Sequence, residues 1–268
     1  MTMPLRHRFS ALPAGPGWLV RGWPRSVGVM QNIAFSGRCS RRDLLALCAW
    51  AGLRGSRRRG GIGVPAVSSL AGIASRNGRS NHYHQSGHFA HVVMAAAVLA
   101  EKAGIGNAER ALLVLAALVH DLDHQGRRGA HHPLYRQERL SAQMAGRVLM
   151  RHGGDRRLVR RLERLIVATA LTSDPHRNAI LASDPLARLL SDADVFASLC
   201  YERALALKLT VRLKLEQGIA ADAEAMLDGF AARMEAEGMA SEAGRSLLRN
   251  LAASRQPHRN MVTGKGWA

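Results

Sequence analysis

Four ionisable side chains, His120, Asp121, Asp123 and His124, stand close together at the end of the apolar run Ala111 to Leu118. That run is apolar on every face, so it reads as a helix buried all round that delivers its last turn into the interior. An uncompensated buried carboxylate or imidazolium costs a large part of a domain's stability, so the cluster calls for a metal, a hydrogen-bond network or both. Upstream, His84 and His88 are four apart, which on a helix would set them on one face. Downstream, Asp192 and Asp194 place carboxylates inside another apolar stretch. Nine of the 12 histidines fall between residues 82 and 152. Imidazole with carboxylate suits Zn, Mn, Fe or Mg, and the absence of cysteine from the cluster excludes a thiolate site. The order His, then His-Asp, then a distant Asp is that of a four-ligand site assembled from several helices.

Plainer roles compete for some of these residues. Asp123 reads as a salt-bridge partner rather than a ligand, and Asp192 competes with Asp194 for the distant carboxylate. His82, His91, His131 and His132 read as polar surface.

The elements that must position these groups read as helices. The stretch His88 to Lys102 carries Val92, Val93, Ala96, Leu99 and Ala100 on one side, and Gly104 stops it. Asn107 is placed to cap the next helix, with Glu109 in its first turn, and that helix runs to the His-Asp pair. A further helix spans about 135–150 and ends before Gly153-Gly154; Asp155 caps a segment carrying Leu158, Leu162, Leu165 and Ile166, which stops at Ser173-Asp174-Pro175. Asp184-Pro185 opens a helix carrying Leu186, Leu189 and Leu190, and three more fit 203–217, 221–236 and 240–253. No stretch alternates with period two for long enough to require a sheet. One all-α domain over 81–255 follows, with a tail at 256–268.

A hydrophobic fraction of 47% is ample for a core, and with only 4% aromatics that core must be built from Leu, Ala and Val. Three scattered cysteines, Cys39, Cys48 and Cys200, form no disulfide framework and suit a reducing compartment. The net charge of +18 is uneven: residues 1–80 hold 13 arginines and one acid, a net +12, and the remaining 188 residues carry +6. Only four of the basic residues are lysines, a bias that fits G+C-rich coding as well as selection for phosphate contacts, and with most of the excess charge in the first 80 residues a nucleic-acid partner is not expected. The same 80 residues carry 12 of the 26 glycines and five of the nine prolines, so they read as a poorly ordered basic extension, with Met30 as an alternative start. A sharper alternative is a twin-arginine export signal at Arg41-Arg42 followed by a short apolar stretch; the cytoplasm is the first expectation. No run reaches the length needed to span a bilayer.

The cluster resembles the HD superfamily of metal-dependent phosphohydrolases, and most of all the catalytic domain of class I cyclic nucleotide phosphodiesterases. Tyr83, His84, His88 and Val92 meet a first family motif, Tyr-His-Asn-x-x-His-Ala-x-Asp-Val; His120, Asp121, Asp123, His124 and Gly126 match a second, His-Asp-x-Asp-His-x-Gly; Ala193-Asp194-Val195 is similar to a third. The likeness covers about residues 81 to 200. It implies a helical bundle around a metal centre and hydrolysis of 3′,5′-cyclic nucleotides such as cyclic AMP and cyclic GMP to 5′-monophosphates, a step in signal transduction. By resemblance, His88, His120, Asp121 and Asp194 would hold the first of two divalent ions (Zn, Mn, Mg or Fe), with Asp121 bridging to the second. His84 would protonate the departing 3′ oxygen, and His124 would orient an ion-bound water. Asp123, Glu138 and Asp174 are outer candidates: Glu138 either reaches the second ion's waters or caps its helix, and Asp174 is either a turn residue or a supporting group. The sequence departs from the family pattern at Gln85, His91 and Gly129, and the purine-gripping Gln-x-Gly-Phe is only faintly echoed by Leu227-Asp228-Gly229-Phe230. Two other functions remain open. One is an HD phosphohydrolase acting on another nucleotide or phosphate ester; the other is a non-catalytic binding module using the arginine-rich N-terminus.

Overall fold

The structure, a computed structural model, describes residues 9, 12, 14–34, 37–55, 61–77, 81–126 and 132–255. Among them are thirteen helices and no strand. The axis of the bundle is α5 (Ser86–Lys102), on which every residue from Ser86 to Ala100 is buried. A helix apolar on all sides demands neighbours on all sides. These neighbours include α6 (Asn107–Val119), α10 (Pro185–Cys200), α1 (Gly17–Arg21), α2 (Val27–Ala34) and α3 (Arg41–Trp50). The expectation of a one-sided α5 fails because it left out the N-terminal helices.

Those helices lie within residues 1–80, the stretch read from the sequence as a poorly ordered basic extension. α1 to α3, with α4 (Val64–Arg76), bury Leu19, Met30, Leu44, Leu47 and Leu70 completely in the same core as α5 and α6. Glycine and proline lower local helix propensity, but tertiary burial outweighs it. The extension is also tied down by hydrogen bonds: Trp23 Nε1 donates to Leu247 O at 2.8 Å, and Cys39 N donates to Ser86 Oγ at 2.8 Å. The segment read as a twin-arginine signal is α3, opened by a capping box in which Ser40 Oγ accepts from Asp43 N and the Asp43 carboxylate accepts from Ser40 N.

Helix α6 starts one residue earlier than its expected cap: Gly106 is the N-cap and Asn107 the first helical residue, with no side-chain cap. The pair α7 (Arg136–Arg151) and α8 (Arg156–Val167) turns at Gly153, whose φ of 83° suits a residue without Cβ, and Asp155 caps α8 through Leu158 N as expected. Gly146 allows the close approach of this pair, since a Cβ there would lie 2.8 Å from Val159 Cγ1. α8 ends at Val167, short of the expected stop at Ser173-Asp174-Pro175, and Asp174 instead caps a helix of its own, α9 (Pro175–Ser183). Asp184 then opens α10, which continues to Cys200. α11 (Arg203–Gln217), α12 (Ala223–Glu237) and α13 (Glu242–Arg255) complete the chain. His131 and the tail at 256–268 lie outside the described residues. No described helix is long and apolar enough to cross a membrane.

Candidate metal centre

Three helix segments bring four donor groups to a single point, two of them at the end of α6. His88 lies in the first turn of α5, His120 caps the C-terminus of α6 with Asp121 following in the turn, and Asp194 projects from the middle of α10. The ligand atoms of these four residues all lie within 4.8 Å of one another. His88 Nε2 and His120 Nε2 are 3.1 Å apart, and each stands 3.3 Å from Asp194 Oδ1. Asp121 Oδ2 is 3.0 Å from His120 Nε2 and 3.3 Å from His88 Nε2.

Whether such a set fits a cation is decided by where the protons sit. His120 Nδ1 lies 3.0 Å from Ala117 O in its own helix, a carbonyl that can only accept, so Nδ1 carries the proton and Nε2 turns a lone pair toward the cluster. Burial disfavours a charged His120, yet Asp121 and Asp194 outweigh it and raise its pKa well above the usual imidazole value. For Asp121 the balance runs the other way: burial would raise its pKa, and His120 and His84 bring it well below the carboxylate range. Positive charge is therefore favoured where the four donors meet, and a mixed imidazole and carboxylate set fits a divalent ion. The side chains of Asp121 and Asp194 are 13% and 18% exposed, so the carboxylate side of the cluster is open to solvent.

His84 does not share the α5 helix with His88, because it sits in the bend ahead of Gln85, the N-cap. The bend turns its ring edge-on to His88, with centroids 5.5 Å apart, and brings Nε2 to 3.6 Å from Asp121 Oδ2. His124 stacks on it at 3.6 Å. His84, Asp121 and His124 form a second group of converging donors, so Asp121 belongs to both groups.

Glu216, at the end of α11, holds this arrangement and has no sequence signal. One carboxylate oxygen accepts from Tyr83 N at 2.7 Å and His84 N at 2.9 Å; the other meets His84 Nδ1 and lies 3.3 Å from His124 Nδ1. Burial would raise the Glu216 pKa, but hydrogen bonds to His124 and His84 keep it an anion. Burial likewise lowers the His84 pKa, against the pull of Asp121 and Glu216. Asn77, the C-cap of α4, is a second residue the sequence did not mark: its Nδ2 donates to Asp121 O at 3.1 Å and His84 O at 3.2 Å, and its Oδ1 accepts from Asp123 N.

The remaining candidates separate. Asp192 is buried away from the cluster, where it accepts from Ala240 N, Ser241 N and Ser241 Oγ and so anchors the start of α13. Asp123 is exposed in left-handed backbone, and no ion pair involves it among the described residues, from which the nearby Arg127 and Arg128 are absent. Asp174 accepts from Tyr135 OH at 2.6 Å and His176 N at 2.8 Å, a capping role with no hydrogen bond to the cluster among the described residues. Glu138, half-buried in the first turn of α7, has its pKa raised by burial and further by Asp121 and Asp194. His82 is exposed as expected, but His132 is half-buried. His91 is buried rather than on the surface, with Nδ1 3.1 Å from Tyr201 OH; burial and the neighbouring His88 push its pKa down to about 3.

Residues 86–199 match the family model for the HD domain. The matched span runs from the start of α5 to the end of α10, so it contains His88, His120, Asp121, His124 and Asp194 and leaves out His84 and Glu216. A search of curated proteins finds no match to the chain.

Proposed function

With an HD-domain match around a His/Asp donor cluster as the premise, we propose that the chain is a metal-dependent phosphodiesterase that hydrolyses 3′,5′-cyclic nucleotides to 5′-monophosphates. The observation that carries this reading is His84, held at Nδ1 by Glu216 and facing Asp121 of the donor cluster through Nε2. Diester hydrolysis expels an alkoxide, a poor leaving group that must be protonated as it departs, and an imidazole fixed by a carboxylate beside the phosphorus site supplies that proton.

His88, His120, Asp121 and Asp194 would hold the ion, whose chemistry when bound is to neutralise phosphate oxygens and activate water. The sharing of Asp121 between the two donor groups supports a second ion beside the first. His84 delivers its Nε2 proton to the leaving oxygen, and Glu216, kept anionic, stabilises the imidazolium before the transfer. His124, stacked on His84, orients water at the Asp121 side. The 3′,5′-cyclic substrate rests on the motif resemblance at Tyr83, His84, His88 and the His120 to Gly126 stretch.

A second reading, hydrolysis of another phosphate ester, is favoured by one observation. The faint purine-clamp echo at Leu227 to Phe230 lies on α12, where Asp228 is taken up by a surface pair with Arg203 at 2.5 Å. The test is hydrolysis of cyclic AMP, cyclic GMP and a generic aryl phosphodiester by the full chain, metal-stripped and then reloaded with Mn or Mg. Metal-dependent turnover of a cyclic nucleotide supports the first reading, turnover of the aryl ester alone moves the assignment to the second, and no metal-dependent turnover overturns both.

A further inference from the structure

Elsewhere on the molecule, α3, α4 and α7 border an open cavity of about 300 Å³. Arg41, Arg76, Arg151 and His152 line it, with the hydroxyls of Ser68 and Ser69. Arg41 donates to Ser68 Oγ, and Ser69 Oγ lies 3.1 Å from His152 Nε2. Two of the guanidinium groups close over the same point: a Cβ placed on Gly72 would lie 3.7 Å from Arg41 Nε and 3.7 Å from an Arg76 terminal nitrogen.

Three solvent-exposed guanidinium groups border this cavity, and no protein carboxylate pairs with them among the described residues. No carboxylate lines the cavity, and none of the three arginines forms a salt bridge among the described residues. The undescribed residues cannot provide a side-chain partner, because every Asp and Glu of the chain is among the described ones. Helix dipoles explain only part of the arrangement. Arg76 and Arg151 end α4 and α7, where a cation is favoured, but Arg41 begins α3, where the dipole disfavours it.

We propose that this cavity binds the dianion of a phosphomonoester carried by a small organic molecule. Guanidinium groups match phosphate oxygens in pairs, the hydroxyls of Ser68 and Ser69 add neutral hydrogen bonds, and the volume falls at the lower end of small-molecule pockets, leaving room for a group attached to the phosphate. None of its residues belongs to either metal-donor group, so the site stands independently of the proposed reaction.

Calorimetric titration of the full metal-stripped chain with inorganic phosphate and with adenosine 5′-monophosphate tests this. Saturable binding is expected at one site, weakened about tenfold or more in Arg76→Gln/Arg151→Gln and unchanged in Asp121→Ala, which removes the shared donor of the metal centre. Should the double variant unfold, Arg151→Gln alone, at an exposed helix end, carries the same comparison. Equal affinity in the arginine variants, loss of binding in Asp121→Ala only, or binding of a single-stranded oligonucleotide with neither phosphate probe bound would each overturn the proposal.

Discussion

At the scale of single residues, the centre works by fixing which nitrogen faces which partner. His120 spends Nδ1 on Ala117 O, and His84 spends Nδ1 on Glu216, so both turn Nε2 inward, one as a donor to a cation and the other as a proton carrier. Asp121→Ala removes the one residue common to both donor groups and is expected to abolish metal loading and turnover together, read by metal analysis of the purified protein beside an activity assay. His84→Ala should retain the metal and slow turnover about a hundredfold or more, the scale of a general-acid contribution; loss of metal in this variant would make His84 a ligand instead. Glu216→Gln keeps the shape and removes the charge, so turnover should fall roughly 10- to 100-fold with metal content unchanged. Equal kcat in Glu216→Gln and the unaltered protein would deny the pair its part in proton transfer.

At the scale of elements, α10 shows how one helix serves two purposes. Asp192 and Asp194 are two positions apart, roughly 200° around the axis, so their side chains leave on nearly opposite faces. One reaches the donor cluster; the other holds the first residues of α13 by three hydrogen bonds. Asp192→Ala leaves buried donors unsatisfied and should cost about 1–3 kcal/mol, seen as a fall in Tm with the metal affinity preserved. Some caps made by a polar side chain were readable beforehand, as at Asp155 and Asp184, whereas those at Ser40, Asp174 and Asp222 were not. The cap at Gly106, made by backbone alone, was misread because a glycine cap leaves no side-chain signature beside the better-looking Asn107.

At the scale of the whole molecule, helices α1 to α4 pack into the same core as α5 and α6. Leu19, Met30, Leu44, Leu47 and Leu70 are fully buried, and each such side chain contributes about 1.5–3 kcal/mol, together comparable with the entire stability of about 5–15 kcal/mol expected of a domain. Deleting residues 1–80 should therefore give a chain without a cooperative thermal transition, monitored by circular dichroism; a sharp transition with retained turnover would show that α5 can do without its N-terminal cover. The sequence by itself determined what depends on local period and composition: an all-α fold, most of the helices from α5 onward but not α9, and a His, His-Asp, distant Asp order unusual enough to stand out, from which the family resemblance pointed to His88, His120, Asp121 and Asp194. Only the tertiary structure decided which residues reach that cluster from far along the chain or support it through backbone contacts. Glu216 comes from 132 positions beyond His84, and Asn77 joins the backbones of His84 and Asp121. Burial of the glycine-rich N-terminus was equally invisible, because its helices are stabilised by contacts with α5 and α6 and not by their own propensity.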